Sequence, residues 1–129
     1  MSMPPRLLVV DDEQDVPDLF RQRFRRELKA GDVHLAFADN GLEALAKIRG
    51  CARFDIVLSD INMPELGGLE LLEAIRQEWP ALPVVLVSAY SGQSNREKAI
   101  SHGARDFVSK PVDFSRIRAL VAEIGGQAA

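Results

Sequence analysis

Residues 6–13 read Arg-Leu-Leu-Val-Val-Asp-Asp-Glu. The apolar stretch does not alternate with polar residues, and three acids end it at once. It therefore reads as a strand buried on both faces that stops at a polar rim. The same pattern recurs along the chain. Asp55 to Ser59 is an apolar strand ending on Asp60, Pro83 to Ser88 is a strand whose last residue is the serine, and Asp106 to Ser109 runs into Lys110. Val33 to Phe37 is a further strand candidate.

Helical spacing fills the gaps between these strands. Val16, Phe20, Phe24 and Leu28 recur every four residues with Leu19 beside them, Pro17 suits a first turn, and Ala30-Gly31-Asp32 closes the segment. Asp39-Asn40-Gly41 is turn chemistry before Leu42, Leu45 and Ile48. Gly67-Gly68 precedes Leu69, Leu72, Ile75 and Trp79, and a weaker amphipathic helix spans about Asn95 to His102. Ile117, Leu120, Val121 and Ile124 form the last stripe, and Gly125-Gly126-Gln127 reads as a helix stop leading into a tail or linker. Five strand–helix pairs in alternation predict an α/β fold, a doubly wound five-stranded parallel sheet covered on both faces. One domain is expected over residues 1–129, with its core at about 6–124.

The bulk properties exclude several classes. With 129 residues, 47% hydrophobic and 27% charged, the chain has the composition of an ordinary globular domain. A net charge of -3 provides no global field for nucleic acid or an anionic membrane. No apolar run approaches a membrane span and no leader opens the chain, so a cytoplasmic location is expected. Cys51 is the sole cysteine, which rules out an internal disulfide and reads as a packing residue. His34 and His102 are too few for a zinc cluster.

The distinctive polar residues gather at strand ends. In a parallel sheet of this kind all strand C-termini share one edge, where ligands bind. Asp11 and Asp12 follow the first strand, Asp60 the third, Ser88 the fourth and Lys110 the fifth. Three carboxylates in one crevice cannot all ionise unaided, and a hard divalent cation with an anionic partner resolves the conflict. Lys110 adds a point charge suited to a phosphoryl oxygen, Ser88 a hydroxyl donor, and Asp60 is the candidate nucleophile.

These residues carry a family resemblance. LLVVDDE at 7–13, DIVLSDINMP at 55–64, LVSA at 86–89 and DFVSKP at 106–111, in that order and spacing, resemble the receiver domain of two-component response regulators over about Arg6 to Ile124. The resemblance implies a flavodoxin-like receiver fold with strand order 2-1-3-4-5. It implies that Asp60 accepts a phosphoryl group, and that Asp11, Asp12, Asp60 and the backbone carbonyl of Asn62 hold Mg²⁺ or Mn²⁺. Ser88 and Lys110 would contact the phosphoryl group, and the Lys110-Pro111 peptide would be cis. Phe107 would be the switch aromatic that turns inward as Ser88 moves, becoming more buried on activation.

The implied partners are a sensor histidine kinase or a histidine phosphotransfer protein. A second copy or a fused output module would meet the helix near 95–102, the fifth strand and the last helix. Neither nucleic acid nor membrane is an expected partner, and self-catalysed phosphoryl transfer and dephosphorylation are the only chemistry. Arg21, Arg23, Arg25 and Arg26 on the first helix read either as a docking face for histidine-bearing helices or as a solvated surface. Phe107 lacks the hydroxyl of the family's common tyrosine. Gly67 replaces a frequent acid, which implies a more pliable loop, and Tyr90 neighbours the pocket, tuning hydrolysis together with Asn62. Rival readings are an aspartyl-nucleophile phosphatase, a flavin or nucleotide module, and a receiver-like domain that is not phosphorylated. Asn62 sits where the phosphatase needs a general acid, and Asp11-Asp12-Glu13 where a nucleotide module needs a Gly-rich loop.

Overall fold

In the computed structural model, which describes residues 4–50, 53–63, 66–89 and 93–128 (93–94 and 125–128 by backbone alone), the opening run becomes β1 (Arg6–Val10). The other strands are β2 (His34–Ala38), β3 (Ile56–Asp60), β4 (Val84–Ser88) and β5 (Asp106–Ser109). All four pairings are parallel and the order is β2-β1-β3-β4-β5, the doubly wound receiver arrangement. The helices are α1 (Val16–Arg23), α2 (Arg25–Ala30), α3 (Gly41–Gly50), α4 (Gly68–Glu78), α5 (Gln93–Ser101) and α6 (Phe114–Ala128). Cys51 and Tyr90 lie outside the described residues.

Strand alternation splits the core in two. Leu7, Val9, Ile56, Leu58, Val85, Val87 and Val108 face Phe20 of α1, Phe24 between α1 and α2, and Phe114, Ile117 and Val121 of α6. Leu8, Val10, Val57, Val84, Leu86 and Phe107 face Leu45, Leu71, Leu72, Ile75 and Ala99 of α3, α4 and α5. Both faces are thus covered, which is why the strands are apolar throughout. Complete burial of an aliphatic side chain such as Leu7, Leu8 or Leu71, each at 0% exposure, stabilises by roughly 1.5–3 kcal/mol. Phe20 and Phe24 stack with each other and both meet Phe114 edge-on, with centroids 5.0 to 6.2 Å apart.

Several details depart from the sequence reading. The expected single first helix is two, because the chain leaves helical geometry at Phe24 (φ -101°, ψ 19°). Leu19 and Leu42 are exposed at 38% and 54%, so neither belongs to its helix's buried stripe. The last helix continues through Gly125-Gly126-Gln127 to Ala128 rather than stopping there. A glycine costs a helix only about 1 kcal/mol, which does not force an end. Gly31, at φ 75°, terminates α2 in a left-handed conformation that favours glycine.

Candidate functional site

The strand ends bring Asp11, Asp60 and Lys110 together by register. Leu7 to Val10 pair with Ile56 to Ser59, so the residues that follow, Asp11 and Asp60, stand side by side at the sheet edge. The Asp11 N–H donates to the Ala38 carbonyl at 3.0 Å and the Ile61 N–H to that of Val87 at 3.0 Å, which fix both strand ends. The Lys110 N–H donates to the Ser88 carbonyl at 2.8 Å, and the Lys110-Pro111 peptide is cis. Gly68 lets α4 start directly beneath this edge. A Cβ there would lie 2.8 Å from the Ile61 Cα, and closer still to the Asp60 carbonyl oxygen.

Lys110 sits among carboxylates. Its ammonium lies 3.0 Å from Asp60 Oδ2, 3.1 Å from Asp11 Oδ2 and 3.2 Å from Glu13 Oε1. The second oxygen of each strand-end aspartate takes a backbone donor: the Glu13 N–H reaches Asp11 Oδ1 at 2.9 Å, and the Asn62 N–H reaches Asp60 Oδ1 at 3.1 Å. Asp12 is exposed, yet one oxygen from each of Asp11, Asp12 and Asp60 falls within 4.8 Å of the others. Glu13 appears in the sequence only as the third acid of its run. Its contact with Lys110 was not anticipated, and the unbroken row of acids was the available signal.

The electrostatics are lopsided. Burial pushes the Asp11 carboxyl above its ordinary range, against the Glu13 N–H and the Lys110 ammonium, which hold it down. For Lys110, burial favours loss of the proton, but the hydrogen bonds to Asp60, Asp11 and Glu13 outweigh it and hold the ammonium well above the ordinary lysine range. Three acids thus share one cation, and Asp12 adds a fourth negative charge beside them. Oxygen donors clustered within reach of one point, with a surplus of negative charge, fit a hard divalent cation.

Strand alternation divides the remaining candidates. Ser88 shares its parity with Val84 and Leu86 and therefore faces the same side of the sheet as Phe107, opposite Asp11, Asp60 and Lys110. Ser88 is 1% exposed and Phe107 is 4% exposed. Phe107 is therefore already inside, and the expected gain in burial on activation has almost no range left. Gly67 has extended backbone (φ -77°, ψ 176°) that any residue can adopt. Its N–H donates to Glu70 Oε2 at 2.7 Å, so the start of α4 is tied down at the position where a more pliable loop was expected. Beside the acids, Val16, Leu19, Phe20, Pro111 and Val112 line an apolar cleft that also touches Asp11, Asp60 and Lys110. Arg23, Arg25 and Arg26 border a different groove.

Comparison with known proteins gives one answer. Residues 7–122 match the family described as response regulator receiver domain. The chain is 36% identical over 117 residues to the transcriptional regulatory protein ZraR of Klebsiella oxytoca, covering 91% of this chain and 25% of that protein. It is 39% identical over 124 residues to the transcriptional activator protein PfeR of Pseudomonas aeruginosa, covering 92% of this chain and 37% of that protein. The chain therefore spans about a quarter to two fifths of the length of these curated relatives. Among solved structures, the receiver domain of the Francisella response regulator 1452 superposes with a TM-score of 0.86 at 25% identity, covering 97% of this chain and 99% of that one. The response regulator protein TrrA of Thermotoga maritima, in complex with Mg²⁺-BeF, gives a TM-score of 0.77 at 32% identity, covering 93% of this chain and 98% of that one.

Proposed function

The chain belongs to the response regulator receiver domain family, and from that premise we propose that Asp60 is the residue through which it switches, by taking a phosphoryl group. The observation that carries this reading is the placement of Asp60 at 8% exposure, hydrogen-bonded to Lys110 and within 4.8 Å of Asp11 and Asp12 oxygens. An Asp60 carboxylate oxygen forms the new P–O bond as the P–N bond of a phosphohistidine breaks, and the imidazole nitrogen keeps the electron pair. Water later cleaves the acyl-phosphate to inorganic phosphate and restores the carboxylate. Both steps concern the domain's own phosphoryl group, so the domain is a signalling switch rather than a turnover enzyme.

Asp11, Asp12, Asp60 and the backbone carbonyl of Asn62 would hold Mg²⁺ or Mn²⁺, which supplies charge neutralisation to the transferring phosphoryl group. Lys110 is poised to follow a phosphoryl oxygen, since its ammonium already spans Asp11 and Asp60. Ser88 would donate its hydroxyl to the product from the opposite face of the sheet. Because Ser88 and Phe107 lie on that same face, a shift of Ser88 would change the contacts of Phe107 rather than its exposure. The donor would be a sensor histidine kinase or histidine phosphotransfer protein. The responding face would be α5, β5 and α6, read by a fused output module or a second copy. Among the described residues no helix is long and apolar enough to cross a membrane, and we place the domain in the cytoplasm, as one unit over residues 1–129.

The test is mass spectrometry after incubation with acetyl phosphate and Mg²⁺. A gain of about 80 Da is expected for the native chain and none for Asp60→Asn. An unmodified native chain, with both acetyl phosphate and a phosphorylated histidine phosphotransfer domain, overturns the proposal.

A further inference from the structure

The sequence places Arg21, Arg23, Arg25 and Arg26 on a single first helix. The break at Phe24 changes that arrangement. Beside the break lies a groove lined by Arg23, Arg25, Arg26 and, from α6, Arg118, with Glu27 and Asp32. Four arginines face two acids in a chain whose net charge is -3. The groove shares no lining residue with the cleft that holds Asp60 and Lys110.

Two of the arginines are held in place before anything binds. The Arg118 guanidinium lies 5.2 Å from the Phe24 ring centroid, donates from Nε to Glu27 Oε2 at 2.7 Å, and reaches the Arg23 carbonyl through Nη2. Arg23 lies over the Phe114 ring at 5.5 Å. Stacked guanidinium groups lose less freedom when they engage a ligand, and their planar forks match carboxylates bidentately. Arg25 and Arg26 are exposed and form no ion pair within 4.0 Å among the described residues, and Arg26 acts on Glu27 only at longer range, so the groove keeps a surplus of positive charge.

We infer that the α1/α2–α6 groove docks an acidic segment of a partner protein, at a distance from the Asp60 site and independently of its phosphorylation. Carboxylates are favoured over a phosphate backbone because Glu27 and Asp32 interrupt the arginines. A continuous polyphosphate would meet repulsion there, whereas spaced glutamates can pair with Arg25, Arg26 and Arg23 and bypass both acids. Since the groove leaves the Asp60 cleft open, a partner seated in it can stay bound while the phosphoryl group arrives and leaves.

The experiment uses the full chain and defined peptides. Titration with a ten-residue glutamate-rich peptide, followed by the arginine Nε–Hε NMR signals, should move Arg23, Arg25, Arg26 and Arg118 with an affinity that falls as salt rises. A glutamine-rich peptide of equal length should bind at least about tenfold more weakly. Arg25→Glu/Arg26→Glu should abolish binding and Arg25→Gln/Arg26→Gln should weaken it, with acetyl phosphate uptake at Asp60 unchanged in both. Equal binding of the two peptides, shifts confined to other arginines, or retention of binding by both double variants overturns the inference. Tighter binding of a ten-nucleotide oligothymidylate than of the glutamate peptide also overturns it, in favour of nucleic acid. Loss of phosphorylation in the native chain bears on Asp60 alone and leaves this result standing.

Discussion

Two charged clusters stand at the two ends of β5 and are built on opposite plans. At the end of β3, one lysine faces three carboxylates: Lys110 lies 3.0 to 3.2 Å from Asp60, Asp11 and Glu13. At the start of β5, one carboxylate faces two arginines: Asp106 pairs with Arg116 and stands 3.7 Å from Arg96. The Asp106 cluster is a tie. Its carboxylate also accepts the Phe107 N–H at 2.7 Å, Arg96 donates to the Phe107 carbonyl at 3.3 Å, and α5, β5 and α6 are joined. The Lys110 cluster is an imbalance, with more buried negative charge than its single cation offsets. Surplus charge held in place by strand ends marks the region built to receive something, whereas compensated charge marks the region built to hold.

The largest test of that contrast is Lys110→Met. It leaves Asp11 and Asp60, at 9% and 8% exposure, facing each other without a cation. The expected loss is about 2–3 kcal/mol without metal, below the full figure for breaking a buried pair because the site is partly open. Urea denaturation should show Mg²⁺ restoring more stability to the variant than it adds to the native chain. Equal stability of variant and native chain, without metal, would mean that Lys110 is not the counter-charge.

Gly68→Ala should come next. The added Cβ would stand 2.8 Å from the Ile61 Cα, which is backbone and cannot turn aside as a side chain can. A cost of about 1–3 kcal/mol is expected from overpacking. Because the displaced backbone carries Asp60, slower acetyl phosphate uptake should accompany the loss of stability. Normal uptake in a destabilised protein would separate the helix start from the site.

At the balanced cluster the effects shrink. Asp106→Asn removes the partner of Arg96 and Arg116, but these side chains are 48% and 46% exposed and regain water. A cost of about 1 kcal/mol is expected by thermal or urea denaturation, well under that of Lys110→Met. A larger loss for Asp106→Asn than for Lys110→Met would reverse the assignment of which cluster holds the fold.

The same contrast explains what the sequence made legible. Strands whose ends carry acid, serine or lysine could be read because burial on both faces leaves no alternative composition, and register then brings Asp11 beside Asp60 without further information. The break at Phe24 could not be read, since Val16, Phe20, Phe24 and Leu28 keep the same four-residue spacing across it. Leu42 looked like core because periodicity records the face of a helix and not how far that face extends; at 54% exposure it lies past the edge. The depth of Phe107 was hidden for a different reason. It belongs to a cluster that includes Ala99 of α5 and Ala104 from the turn after it, and membership of such a cluster leaves no mark on a four-residue strand. Glu13 and Asp106 needed partners distant in sequence, Lys110 and Arg96 or Arg116, which spacing cannot pair.

The smallest effect is expected where an ion pair borders the arginine groove. Arg118 donates to Glu27 at 2.7 Å and holds the Glu27 carboxyl below its ordinary value of 4.5, mainly through that hydrogen bond. A carboxylate whose pKa is depressed in the folded state contributes stability above its unfolded value and loses it as pH falls through the folded one. Glu27→Gln should therefore cost about 0.5 kcal/mol at neutral pH, discounted for an exposed pair. Urea midpoints of variant and native chain should converge as pH is lowered below 4.5. A difference that persists or grows at acid pH would show that Glu27 supports α2 by packing rather than charge. The arginines of the groove would then be free of Glu27 and more open to an acidic partner than the geometry implies.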